Sequence, residues 1–137
     1  MELLPHKPTA KGPPERFTGD VWVDMLVEAP VPARLRVGAV RFAPCARTAW
    51  HCHAVGQTLY VTEGIGFVQV RGGAVVVMRP GDTVYTPPGE WHWHGATPDR
   101  FMIHLAMSER SAEPTVPDVE WGEHVTEDEY RMAGDSR

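Results

Sequence analysis

From Phe17 onward the chain alternates between apolar and other positions every second residue, the period of a strand with one buried face. Val21, Val23 and Met25 share one parity. Further on, Leu35, Val37, Ala39 and Arg41 alternate with Arg36, Gly38, Val40 and Phe42. Strand-like runs follow at 48–53, 58–62, 66–71, 74–78, 83–86, 90–95 and 101–107. Turn signals separate them: Glu63-Gly64-Ile65-Gly66, Gly72-Gly73, Pro80-Gly81-Asp82, Pro87-Pro88-Gly89 and Thr97-Pro98-Asp99. The Gly72-Gly73 pair accepts positive φ and suits a tight hairpin. Short strands with such frequent turns predict an all-β fold, an antiparallel sandwich or barrel. One short helix is expected over 126–131, opened by Thr126 as cap and by early carboxylates. Residues 1–16, rich in Pro, Lys and Gly, carry no periodicity and are expected as a flexible or partner-bound arm. The domain proper then spans 17–132, with 133–137 as a tail.

Composition narrows the function. At 137 residues the chain is long enough for one core and too short for two. Its net charge is −5, half of its acidic residues lie beyond Ser108, and it has no basic patch. Nucleic acid and anionic membranes are therefore poor partners, and a small-molecule substrate is the expectation. No apolar stretch approaches the roughly 20 residues that span a bilayer. Pro5, His6, Lys7 and Pro8 interrupt any signal-peptide pattern, so a cytoplasmic location is expected. Two cysteines, Cys45 and Cys52, are too few for a disulfide framework.

The chemistry concentrates in His51-Cys52-His53, Gln57 and His92. On a strand, His51 and His53 share one face while Cys52 points away, leaving it a free thiol. Gln57 and His92 can close a metal site from two further strand positions. Neutral imidazoles suit zinc, iron, manganese, nickel and copper. Four protein donors on an octahedral ion leave two positions open, the layout of a catalytic site. A neutral amide at Gln57 leaves the divalent charge uncompensated, which favours substrates that become anionic at an oxygen.

Other residues gather around this set. His94 has the parity of His92 and is expected in the pocket or hydrogen-bonded to a ligand ring. His104 lies in an apolar run, where a histidine is either a hydrogen-bonded core residue or a general base. Gly38 and Val40, on the pocket parity, leave room for a small or aromatic substrate. Trp50, Trp91 and Trp93 have the opposite parity and are expected to pack between sheets or at a subunit contact. His6 and His124 receive no role.

These motifs resemble those of the cupin superfamily. Its first motif, Gly-x5-His-x-His-x3–4-Glu-x6-Gly, is met by His51, His53 and Gly64, with Gln57 at the Glu position and Cys45 at the leading Gly. The second, Gly-x5-Pro-x-Gly-x-x-His-x3-Asn, is met by Gly81, Pro87, Gly89 and His92, with Ala96 in place of Asn. From Lys11 to Arg131 the chain further resembles the manganese-dependent, cupin-type bacterial hydroxynitrile lyases. The shared stretches are Lys11-Gly12-Pro13 with Phe17-Thr18-Gly19, Ala46 to His51, Gly56-Gln57-Thr58-Leu59, Gly89-Glu90, His92-Trp93-His94-Gly95, His104-Leu105-Ala106 and Trp121-x-Glu123-His124-Val125-Thr126. The resemblance implies a double-stranded β-helix, or jelly-roll barrel. It also implies metal binding by His51, His53, Gln57 and His92, with manganese first and iron or zinc as alternatives. His104 would project into the pocket near the metal as the base that cleaves a cyanohydrin to aldehyde and hydrogen cyanide. An iron or manganese dioxygenase acting on an enol or diketone is the second reading. A non-catalytic metal- or ligand-binding module, or an isomerase of a small acidic compound, is the third. Open sheet edges and the arm point to self-association, as a homodimer or tetramer.

Overall fold

The computed structural model describes residues 1–136. The chain first lays down β1 (Ala10–Lys11), β2 (Phe17–Thr18), β3 (Val21–Glu28), β4 (Leu35–Phe42), β5 (Arg47–Thr48), β6 (His51–His53) and β7 (Gln57–Gly64). It continues with β8 (Gly66–Val70), β9 (Val75–Met78), β10 (Thr83–Thr86), β11 (His92–Ala96), β12 (Met102–Glu109), β13 (Val119–Trp121) and helix α1 (Glu127–Asp135). One sheet runs β1-β3-β4-β12-β7-β10. The second runs β13-β6-β11-β5-β2, with β8 joining β11 to β9. Every pairing is antiparallel. The two sheets close on each other as the expected all-β barrel.

Alternation sets the inside. Across the first sheet, Phe42 pairs with Met102, Val40 with His104, Gly38 with Ala106 and Arg36 with Ser108. Phe42 and Met102 are buried and join Val21, Leu59, Val61, Val68, Met78 and Ala96 in the core between the sheets. This core fills one end of the barrel. The opposite end, lined from Gly38 to Arg36 and Ser108, stays open.

Several boundaries differ from expectation, each for a local reason. The run 48–53 is two strands, because Ala49 and Trp50 give their N–H groups to Arg16 O and Glu123 O at 2.8 and 2.9 Å. Within the 1–16 arm, Ala10 and Lys11 pair with Val23 and Trp22, so this part lies along its own sheet. The helix continues beyond Arg131 to Asp135, and Ala133, placed in the tail by sequence, is buried.

The tryptophans are corrected in place. Trp50 and Trp93 pack on the outer face of the second sheet beneath α1, with Phe67, Val125, Tyr130 and Ala133, and Trp91 leans on the same cluster. They lie between sheet and helix, not between the sheets. Arg47, 2% exposed, fixes the helix by donating to Val125 O at 3.1 Å and Glu127 Oε1 at 2.9 Å. Its guanidinium lies 4.4 Å over the Tyr130 ring, and the Tyr130 hydroxyl donates to Ala96 O at 2.6 Å. Among the described residues, no helix is long and apolar enough to cross a membrane.

Candidate metal centre

Three histidines of the second sheet converge. His51 pairs directly with His92 across β6 and β11, and His53 follows two residues on. Their candidate ligand atoms all lie within 4.8 Å of one another. The turn at Pro87–Gly89 carries the chain into β11: Gly89, at φ 74°, donates its N–H to His53 O at 2.9 Å. Gly56 serves the other approach. Its φ is 85°, and a Cβ there would meet Thr86 O at 2.9 Å, so only glycine lets the chain turn from His53 back to Gln57. Gln57 arrives from the first sheet with Oε1 3.3 Å from His92 Nε2.

Ring orientation follows from backbone carbonyls. Ala49 O and Glu90 O lie 2.9 Å from His51 Nδ1 and His92 Nδ1. With a proton on each Nδ1, each Nε2 carries a lone pair into the centre. His53 is buried, and among the described residues neither of its ring nitrogens makes a well-formed hydrogen bond, the Gln57 side chain being its polar neighbour. Orphaned ring nitrogens beside two aligned Nε2 atoms fit a divalent transition metal better than a packed core does. Burial keeps this set neutral. It lowers His51 well below the usual imidazole range, with His92 adding to the effect. It brings His53 down to about 4, again with a contribution from His92, and lowers His92 itself. Cys52 stays outside, as its alternation requires. Its thiol faces Glu120 Oε2 at 3.8 Å, and burial first, then Glu120, push its pKa up.

Beside the ligands stands a second imidazole pair. His104 Nε2 lies 3.0 Å from His94 Nδ1, and both rings contact Phe42. His94 lines the cavity, whereas His104 is fully buried behind it. The sequence reading has His104 itself reaching the pocket; in the fold it meets the pocket through His94. A β-bulge between β12 and β7 at Ile103/His104 adjusts this register. Burial holds His104 at about 4 and also lowers His94 well below the usual imidazole range, where His104 adds to burial. Among the described residues, His94 Nε2 is buried without a hydrogen-bond partner.

The cavity over this centre measures about 430 Å³. Gly38 and Val40 line it, together with Met25, Ala106 and Ser108. Gly38 has ordinary φ, and the nearest atoms to an added Cβ lie 3.8 Å away, so neither backbone nor packing demands glycine there. Its absent side chain serves the cavity. Sequence reasoning missed Trp121, which lines the pocket and stacks on His51 with ring centres 4.7 Å apart and planes 26° apart. Residues 110–120 show no alternation that would have flagged it. Arg36 was legible in principle, having the parity of Gly38 and Val40.

Comparison with known proteins agrees with this geometry. The chain is 51% identical over 123 residues to an (R)-mandelonitrile lyase from Granulicella tundricola, covering 90% of this chain and 92% of that one. A cupin-like protein from Thermotoga maritima superposes with TM-score 0.86 at 40% identity, over 100% of both chains. A polyketide cyclase from Streptomyces resistomycificus shares the fold at TM-score 0.69 and 20% identity, over 96% of this chain and 91% of that one. The cupin domain family matches residues 38–106, the segment that carries Gly38, all four candidate donors, His94 and His104. With that match, the relative sharing half its residues and the two-sheet barrel around a histidine cluster, the chain belongs to the cupin family.

Proposed function

We propose that this protein is a metal-dependent lyase that cleaves cyanohydrins to an aldehyde and hydrogen cyanide, with manganese as its metal. The observation that carries the reading is its kinship with the Granulicella mandelonitrile lyase along nine-tenths of the chain. His51, His53, Gln57 and His92 would hold the ion. Bound there, a divalent cation supplies Lewis acidity and stabilises negative charge that develops on the substrate.

The remaining chemistry belongs to the chain. The His94–His104 pair takes the hydroxyl proton. With His94 Nδ1–H donating to His104 Nε2 across the 3.0 Å contact, His94 Nε2, on the ring that lines the cavity, is left to accept. Their lowered pKa values keep both rings neutral, and therefore able to accept, at neutral pH. As the carbon–carbon bond breaks, its electron pair leaves with cyanide, which regains the proton as hydrogen cyanide. Gly38 and Val40 leave space for the substrate's organic group. Cyanide release from mandelonitrile that depends on added manganese is the expected result. His104→Ala should retain the metal and lose at least about 100-fold in rate, because His94 loses the partner that fixes its proton on Nδ1 and with it the use of a general base. Equal loss of metal and rate, or no cyanide at all, overturns the assignment.

We further propose self-association through the outer face of the first sheet. There Val37, Ala39, Leu105 and Met107 are only half-buried, and Tyr60 and Tyr85 are exposed. This face has no helix over it, unlike the outer face of the second sheet, and a second copy is its simplest cover. Leu105→Lys should sediment as a monomer; an unchanged mass rules this face out. A cytoplasmic working place goes with the reading, since both cysteines are free.

A further inference from the structure

We propose that the cavity selects substrates carrying a carboxylate at the end remote from the reacting carbon, with Arg36 and Arg16 as its receptors. The proposal rests on the lyase reading for the reacting end alone. Three charged side chains line the cavity: Arg16, Arg36 and Asp118. Two cations against one anion, above a neutral donor set, make the cavity positive in a chain of net charge −5. Such a reversal of sign concentrates anions at the site.

Arg36 holds the decisive position. Arg36 pairs with Ser108, and Ser108 pairs with Gln57 on its other side, so the three form one row across the first sheet. Two interstrand spacings, roughly 10 Å, therefore separate the Cα of Arg36 from that of the candidate metal donor. Between them lies Ser108, with Gly38 and Ala106 in the adjoining row of the cavity floor, and none of the three is charged. An aryl group bound by its reactive end at the metal would span that floor and present its far substituent to Arg36.

The guanidinium is also underused. Its nearest carboxylate oxygens, Glu28 Oε1 and Asp118 Oδ2, are 3.8 and 3.7 Å away. Both distances exceed the roughly 3.2 Å limit of an N–H···O bond. Glu28 also lies 3.9 Å from Lys7 Nζ, and the Asp118 carboxylate already accepts from Ser111 N at 2.6 Å. Arg16 has its guanidinium carbon 5.3 Å over the Trp121 ring and, among the described residues, pairs with no carboxylate. An arginine serving only to anchor the 110–118 loop would close its fork on Asp118. Arg36 lines the cavity with neither carboxylate within hydrogen-bond distance, and a guanidinium so placed can take a carboxylate in bidentate fashion.

The test compares para-formylbenzoate with benzaldehyde as probes of the manganese-loaded protein, using calorimetric affinities. The charged probe is expected to bind at least about tenfold tighter, as a charge-assisted hydrogen bond supplies. The preference should shrink with added salt, collapse in the Arg16→Gln/Arg36→Gln double variant and survive in part in Arg36→Lys. Equal affinities in the unmodified protein overturn the proposal. So does a preference undiminished in the double variant, which would mean that the carboxylate sits on the metal instead. Cyanide release from mandelonitrile is scored separately. Its absence with the preference intact overturns the lyase reading alone; its presence with equal affinities overturns the anion selection alone.

Discussion

The backbone at Cys45 passes through the left-handed region, with φ at 72°. This is the position at which the cupin motif has glycine, and glycine alone adopts such a φ without a Cβ penalty. The thiol gains little in exchange, a contact of 3.6 Å to Pro98 O. Cys45→Gly is therefore expected to raise stability by about 1 kcal/mol, read as a higher urea midpoint at unchanged m-value. Gly64 has no such latitude: besides its φ of 79°, an added Cβ would lie 1.9 Å from Phe101 O. At this scale the sequence told most where a residue type has one use. Two histidines spaced by one residue, with Gln57 and His92 in motif register, marked four candidate donors, which the fold places side by side. It told less where role depends on depth. His104 and His94 have equivalent patterns along their strands, and only the packing of β12 against β11 places one ring behind the other.

Secondary structure was legible where the alternation was long. The runs 35–42 and 83–86 coincide with β4 and β10. It was not legible for β1 and β13, of two and three residues, because pairs this short carry no period and form only where a neighbouring strand offers an edge. Helix α1 was foreseen from its cap: Thr126 Oγ1 accepts from Glu129 N at 3.1 Å, and Glu129 Oε1 accepts from Thr126 N at 2.9 Å. Its anchor was not, since Arg47 lies some eighty residues away in sequence. Arg47→Met keeps the stem's bulk but leaves Val125 O without that donor and the helix unfastened. The expected cost is roughly 2 kcal/mol, with most weight on the buried carbonyl because Glu127 is largely exposed. Urea unfolding measures the loss, and faster hydrogen exchange confined to α1 and β11 would locate it.

For the molecule as a whole, burying imidazoles without protonating them makes stability depend on pH. His104 is held at about 4 by burial, against about 6.5 in an unfolded chain. Between those values the unfolded state binds the extra proton, so stability rises with pH across this window and is constant above it. The metal-free protein should lose roughly 3 kcal/mol on this account between pH 6.5 and 4. His104→Gln should flatten the slope of unfolding free energy against pH there; an unchanged slope would show that His104 does not bind protons differently in the two states. The two sheets also differ in what covers them. Helix α1 closes the outer face of the second, while the first leaves Tyr60 and Tyr85 exposed, the face proposed above for self-association.

His51, His53 and His92 ride on the second sheet, whereas Gln57 begins β7 of the first. An ion held by all four would thus be a rivet through both leaves of the barrel at its open end. Filling and stripping such a centre would tighten and slacken that mouth, and the protein's mechanical stiffness would become a record of its metal supply.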